Sequence, residues 1–278
     1  MDVATVAGLV IGFGAIFVAG WVGHADPHII FGRWEAIMLI IGGTMGATIA
    51  SFPMRVFVNG FFGGLRTAFV ENDYHERDVI STLVSFAEKA RREGLLALEN
   101  EAAALDDEFM RKGIQLVIDG RDTEIIRKVL ETEVSFVQER GNKAEAVFSC
   151  LGGYSPTLGI IGTVLGLIGM LKSLETANLG GNIAGTIGVA TAQAFVATFY
   201  GIMFANLLWL PIATKVKERY GQVLLLREIM IEGILAIQAG DNPRLLEEKL
   251  LAFLDPRDRD TEVEEGGAIA AEALSPSA

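Results

Sequence analysis

Four parts of this chain are predominantly apolar, and between them apolar residues recur at helical spacing. A hydrocarbon core of ~30 Å is crossed by about 20 residues of helix. The stretches from about Val3 to Gly23, Trp34 to Pro53, Ala146 to Leu171 and Ile183 to Ile212 reach that length. Their central parts hold no Asp, Glu, Lys, Arg or His, and Glu35 stands at the edge of the second. Each stretch is therefore expected to be a transmembrane helix. The first has the position of a secretory signal, yet residues 1–7 carry no Lys or Arg and the apolar run outlasts a usual signal core, so a retained helix is expected.

Basic residues set the orientation, because short loops rich in Lys and Arg stay on the cytoplasmic side. Only Arg33 falls between the first two spans, and only Lys172 between the last two. Arg55 and Arg66 follow the second span, Arg140 and Lys143 precede the third, and Lys215, Lys217 and Arg219 follow the fourth. Both termini and the long middle segment are thus expected in the cytoplasm. The fold class is an all-α membrane protein with four transmembrane helices, two and two, and a helical cytoplasmic domain between the second and third. In serial order this gives transmembrane helices in 1–53, a cytoplasmic helical domain in 54–145, transmembrane helices in 146–212, a cytoplasmic C-terminal helix in 213–254 and an acidic tail in 255–278.

Within the middle segment, Val79, Ile80, Leu83, Val84, Phe86, Ala87 and Ala90 keep helical spacing while Glu76, Arg77, Glu88 and Lys89 take another face. A second helical stretch covers Gly94 to Leu105. A third runs from Asp107 to Ile118 and stops at Asp119-Gly120. A fourth begins near Asp122-Thr123 and continues without a break into the third span. The tail from Asp255 is rich in Pro, Ala and Glu, with acids outnumbering bases, and is expected to be disordered.

Composition agrees with membrane helices: 51% hydrophobic residues and 32 glycines among 278. A net charge of −12 lacks the basic footprint of a nucleic-acid binder. The one cysteine, Cys150, excludes an intrachain disulfide and reads as a small buried hydrophobe. His24, His28 and His75 are too scattered for a metal site, and Pro27 prevents the first two from sharing a helical face.

No sequence pattern of an enzyme is present. There is no G-x-x-x-x-G-K-[ST], H-E-x-x-H or G-x-S-x-G, so ATP-driven chemistry and these hydrolase types are not expected. The third span instead carries Gly159, Gly162, Gly166 and Gly169 three or four apart, a small-residue stripe for helix packing. The stripe serves either intrachain packing or a partner helix. Pro156 removes a backbone donor inside that span and either kinks it or frees a carbonyl. Thr163 and Thr198 sit deep in the third and fourth spans, where each hydroxyl either bonds back to a carbonyl one turn earlier or faces an ion or carboxylate. Proteins that move protons hold an ionisable group within the bilayer. This chain places none at mid-span, so either it moves no ions or a partner helix brings the carboxylate.

At these residues a resemblance becomes specific. The run Pro156-Thr-Leu-Gly-Ile-Ile-Gly-Thr163-Val-Leu-Gly resembles the third transmembrane helix of the MotA/PomA flagellar stator family. Ala194-Phe-Val-Ala-Thr198-Phe-Tyr-Gly201, followed by Trp209-Leu-Pro211, resembles the fourth. Trp34-Glu-Ala-Ile-Met-Leu-Ile-Ile-Gly-Gly resembles the second, and Arg91-Arg-Glu-Gly-Leu-Leu-Ala-Leu-Glu99 the family's charged torque segment. The likeness covers about residues 1–250. It implies a stator subunit in the bacterial inner membrane that couples H⁺ or Na⁺ influx to torque. Five such subunits would surround two MotB- or PomB-type B subunits, which supply the titrating aspartate from one membrane helix. Thr163 and Thr198 would line the ion path, Pro156 and Pro211 would couple ion flow to movement, and Arg91 and Glu99 would engage the switch-complex protein of the rotor C-ring. No cofactor is implied beyond the transported ion. Membrane lipid is the other contact, and nucleic acid is not one.

Threonine at both pore positions resembles sodium-driven members, yet a hydroxyl also bonds a protonated carboxyl, so the ion stays open between H⁺ and Na⁺. An ExbB/TolQ-type energy transducer shares the last two helices but usually has three spans. A non-conducting membrane scaffold is the remaining alternative.

Overall fold

The computed structural model describes residues 3–23, 34–70, 76–176 and 183–254. His24, Pro27, His28, Arg33, His75 and the tail from Asp255 lie outside the described residues, so the expectations about them stand apart from the structure. Among the described residues there are helices and turns and no strand. In chain order the helices are α1 (Val3–Val22), α2 (Trp34–Ser51), α3 (Met54–Phe69), α4 (Glu76–Glu93), α5 (Glu99–Ala103), α6 (Glu108–Ile118), α7 (Thr123–Thr176), α8 (Ile183–Phe204), α9 (Leu210–Ala239) and α10 (Pro243–Leu251). A 3₁₀ turn, Leu95–Leu98, precedes α5, and a π-helical turn, Ala205–Trp209, joins α8 to α9.

Four helices contain stretches long and apolar enough to cross a membrane: α1, α2, α7 and the run from α8 into α9. α7 continues unbroken from Thr123 to Thr176, and Asp122 opens it by accepting the Glu124 N–H at 3.0 Å. Pro156 lies within α7 without ending it. The helical reading of residues 54–145 set no bounds for a helix before Glu76, and α3 forms there over Met54–Phe69. Its Phe57, Gly60, Gly64 and Ala68 turn inward at helical spacing.

The chain divides into two compact units, Met1–Asn72 with Glu139–Tyr220, and Asp73–Gln138 with Gly221–Ala278. The first contains the apolar helices. Its aromatic centre stacks Phe61 between Phe57 and Phe148, with ring centroids 5.7 and 5.6 Å apart. A second cluster gathers Ile40, Val196, Tyr200 and Met203 where α2 meets α8. α1 buries no residue, which costs little for an apolar helix whose solvent is lipid. Ser51 and Tyr154 share a hydroxyl hydrogen bond of 2.9 Å that ties the end of α2 to α7.

The second unit is built like a soluble helical domain. Leu83, Leu98, Ile114, Ile126, Leu130, Ile229 and Ile234 are fully buried in one core. Asp107 caps α6 by accepting the Met110 N–H at 2.8 Å, and Gly120 takes a φ of 68° just past the helix end, as a left-handed terminator requires. The stretch Gly94 to Leu105 begins with Gly94 at φ 86°, so the backbone leaves α4 there before the 3₁₀ turn and α5. Several charged groups at the edge of this unit are paired. Lys89 meets Glu101 at 2.5 Å, Lys112 meets Glu133 at 2.7 Å, and Arg227 lies 3.6 Å from Glu133 and 4.4 Å over the Phe109 ring.

Candidate functional site: a hydroxyl pair between close-packed helices

The contact of α7 with α8 is made of small residues, and this brings the two threonines together. A Cβ built on Gly159 would lie 3.0 Å from the Thr198 Cα and 3.1 Å from the Ala197 carbonyl oxygen. At Gly162 it would lie 2.5 Å from the Ala197 Cβ, and at Gly166 2.7 Å from the Ala194 Cβ. On the facing helix, Gly201 approaches the Ser155 carbonyl oxygen, which a Cβ would meet at 2.6 Å. Three of the four stripe glycines thus pack within the chain. Gly169 differs, with open space around its Cβ position.

At this distance the hydroxyls reach across the contact. Thr163 Oγ1 donates to its own Gly159 carbonyl at 3.1 Å or across to the Ala194 carbonyl at 3.2 Å. Thr198 Oγ1 donates back across to the Gly159 carbonyl at 3.2 Å. The two hydroxyls also hydrogen-bond each other. Thr163 thus bonds back along its helix, and both hydroxyls share a polar point with the Gly159 oxygen. Such a point offers hydroxyl and carbonyl oxygens to a hard cation or a protonated carboxyl.

Pro156 lies inside α7 and Pro211 near the start of α9. Pro156 has no N–H for the Gly152 carbonyl four residues before it. A Cβ on Gly152 would lie 2.5 Å from Leu210 Cδ2, next to Pro211. Pro211 stands one residue, Leu210, past the π-helical turn, whose wider ladder accommodates the missing donor and the ring. In the other unit, Arg91 is exposed in the last turn of α4 and Glu99 is exposed in the first turn of α5. The buried Leu98 anchors the turn connecting them.

Sequence reasoning passed over several polar groups here. Thr44 and Ser155 are completely buried, and their hydroxyls have no hydrogen-bond partner among the described residues. A hydroxyl inside an apolar span was the available signal, as it was for Thr163 and Thr198. A cavity of about 540 Å³ is lined by Glu35 and Leu39 of α2, Gly162 and Met170 of α7, and Gln193 and Ala194 of α8. Among the described residues, no three His, Cys, Asp or Glu side chains group as metal ligands would.

Long apolar helices, a small-residue helix contact and a hydroxyl pair within it define a multi-pass membrane protein with a polar point inside its helix bundle. Residues 101–229 match the MotA/TolQ/ExbB proton channel family. Motility protein A of Treponema phagedenis is 38% identical over 259 residues, 93% of this chain and 96% of the relative. Chemotaxis protein PomA of Vibrio alginolyticus is 33% identical, covering 95% of this chain and all of PomA. The solved flagellar MotAB stator complex of Bacillus subtilis contains a chain that superposes with a TM-score of 0.82 at 35% identity, covering 91% of this chain and 96% of that one. This chain belongs to the MotA/TolQ/ExbB proton channel family, within its motility protein A group of flagellar stator subunits.

Proposed function

We propose that this chain is the A subunit of a flagellar stator whose ion path runs past Thr163 and Thr198. The observation that carries the reading is the meeting of the two hydroxyls with the Gly159 carbonyl across the α7–α8 contact. The ion is H⁺ or Na⁺. Because the described apolar helices hold no mid-span carboxylate, the titrating group comes from the membrane helix of a MotB-type B subunit, in line with the MotAB assembly of the solved relative. Five copies of this chain surround two B subunits in the inner membrane, with spans arranged two and two and with the termini and the α4–α6 region in the cytoplasm. Pro156 and Pro211 mark where the helix ladders can change shape as the carboxylate is protonated or binds sodium and releases its ion. Arg91 and Glu99 present opposite charges to the rotor switch-complex protein.

The test is swimming speed of cells carrying this chain and its B partner, with sodium and pH varied independently. Speed that follows sodium assigns Na⁺ to the path. Speed indifferent to sodium and abolished by a protonophore assigns H⁺. Motility that survives loss of both hydroxyls, in Thr163→Val with Thr198→Val, overturns the path itself.

A further inference from the structure

We infer that Glu35 and Gln193 form a cation-receiving site at the mouth of the path that ends on Thr163 and Thr198. The inference rests on the proposed ion path and adds a place where the ion is held before it reaches the threonines. Glu35 is the single acidic or basic side chain among the described residues of the four apolar stretches. It sits in the first turn of α2, exposed, and lines the cavity of about 540 Å³. At ~30 Å³ per water, that volume holds an ion with on the order of ten waters, so a cation enters it hydrated.

The cavity wall and the threonine pair share the same helical turns. Gly162 and Ala197 line the cavity and directly precede Thr163 and Thr198 in the chain. Ala194 lines it as well, and its carbonyl accepts the Thr163 hydroxyl at 3.2 Å. Gln193, one residue before, is half-buried and lines the cavity with its carboxamide-bearing side chain. Its oxygen and the Glu35 carboxylate are the kind of donors that hard monovalent cations and protons take. A negative group against apolar walls concentrates cations locally. The remaining wall residues on α7 and α8 are small or apolar, so among the described residues no other titratable group lines the cavity. Lys172, two residues beyond Met170 on α7, is the nearest basic residue along that helix. A purely structural ion pair of Glu35 with Lys172 is the competing explanation.

The experiment uses the full chain with its B subunit in a motile host lacking other stators. Rotation speed is measured against sodium at fixed pH and against pH at fixed sodium, with membrane levels followed by immunoblot. Glu35→Gln is expected to raise the driving-ion concentration for half-maximal speed about fivefold or more, and to change maximal speed less. Glu35→Asp should stay near the parent, Gln193→Leu should shift the same way by about twofold, and Lys172→Gln should shift the opposite way or not at all. An unchanged half-saturation in Glu35→Gln at normal membrane level overturns the site. Equal shifts in Glu35→Gln and Lys172→Gln overturn it in favour of the ion pair. If Glu35→Gln fails to accumulate, Gln193→Leu decides: an unchanged half-saturation overturns the site. The underlying path fails separately, when removal of both threonine hydroxyls leaves speed unaltered at every ion concentration.

Discussion

The Thr198 hydroxyl donates across the α7–α8 contact to the Gly159 carbonyl at 3.2 Å, and the Thr198 Cα stands 3.0 Å from where a Gly159 Cβ would be. The hydrogen bond exists because the side chain on the other helix is absent. Close approach and polar geometry are one feature here.

Gly159→Ala is therefore expected to force α7 and α8 apart, at about 1–3 kcal/mol as in other overpacked contacts. Gly169→Ala, with open space around its Cβ, should cost far less. Thermal unfolding of the detergent-purified stator checks both, and equal losses in the two variants would refute the contact.

Removing the hydroxyls without changing side-chain size isolates their chemistry. Thr163→Val and Thr198→Val should each lower swimming speed about threefold to tenfold, the span of one lost hydrogen bond, with membrane levels unchanged. Thr→Ser at the same positions should retain most of the speed. Loss of the protein from the membrane in the valine variants would instead make the hydroxyls structural.

Arg91 and Glu99 are exposed on either side of a turn whose anchor, Leu98, is buried. Arg91→Glu or Glu99→Lys should impair motility while leaving stator assembly intact. Leu98→Ala should destabilise the unit by about 2–5 kcal/mol. Co-purification with the B subunit separates the two classes, and assembly failure in the charge variants would remove the rotor role.

At the edge of the second unit, the Lys249 ammonium donates to Glu232 at 2.6 Å and holds its carboxyl below the usual range, outweighing partial burial, with Arg127 at 3.5 Å adding to the effect. A lowered folded pKa contributes stability above the unfolded value of about 4.5, and that stability is lost as pH falls through the lower folded value. Glu232→Gln should thus flatten the acid limb of the melting-temperature profile below about pH 4.5 and lower stability at pH 7. A parallel acid limb in the variant would show that Glu232 does not carry it.

Much of this was legible in the chain. An apolar run of about 20 residues has one stable fate in lipid, so the spans were visible without a structure. Helical spacing over Val79–Ala90 and the Asp107 and Gly120 punctuation marked α4 and α6 because caps and turns act within a few residues. The bounds of α3 inside the helical segment 54–145 were not legible because its inward face mixes Phe57 with Gly60 and Gly64, which only neighbouring rings such as Phe148 complete. The π-helical turn before Pro211 was hidden for a related reason. A proline states which donor is missing but not how the preceding turn adjusts.

The sequence by itself determined the membrane class, the long α7, the small-residue stripe and the presence of a hydroxyl in each of the last two spans, since these follow from length, hydropathy and local backbone chemistry. Tertiary structure decided that Thr163 and Thr198 meet, that Gly159 serves both hydroxyls, and that Glu35 shares a cavity with Gln193. Residues 35 positions apart or more come into register only when two helices choose a contact face and a depth. That choice is made by close packing of Gly159, Gly162 and Gly166 on Ala194 and Ala197, a fit between surfaces that no local pattern encodes.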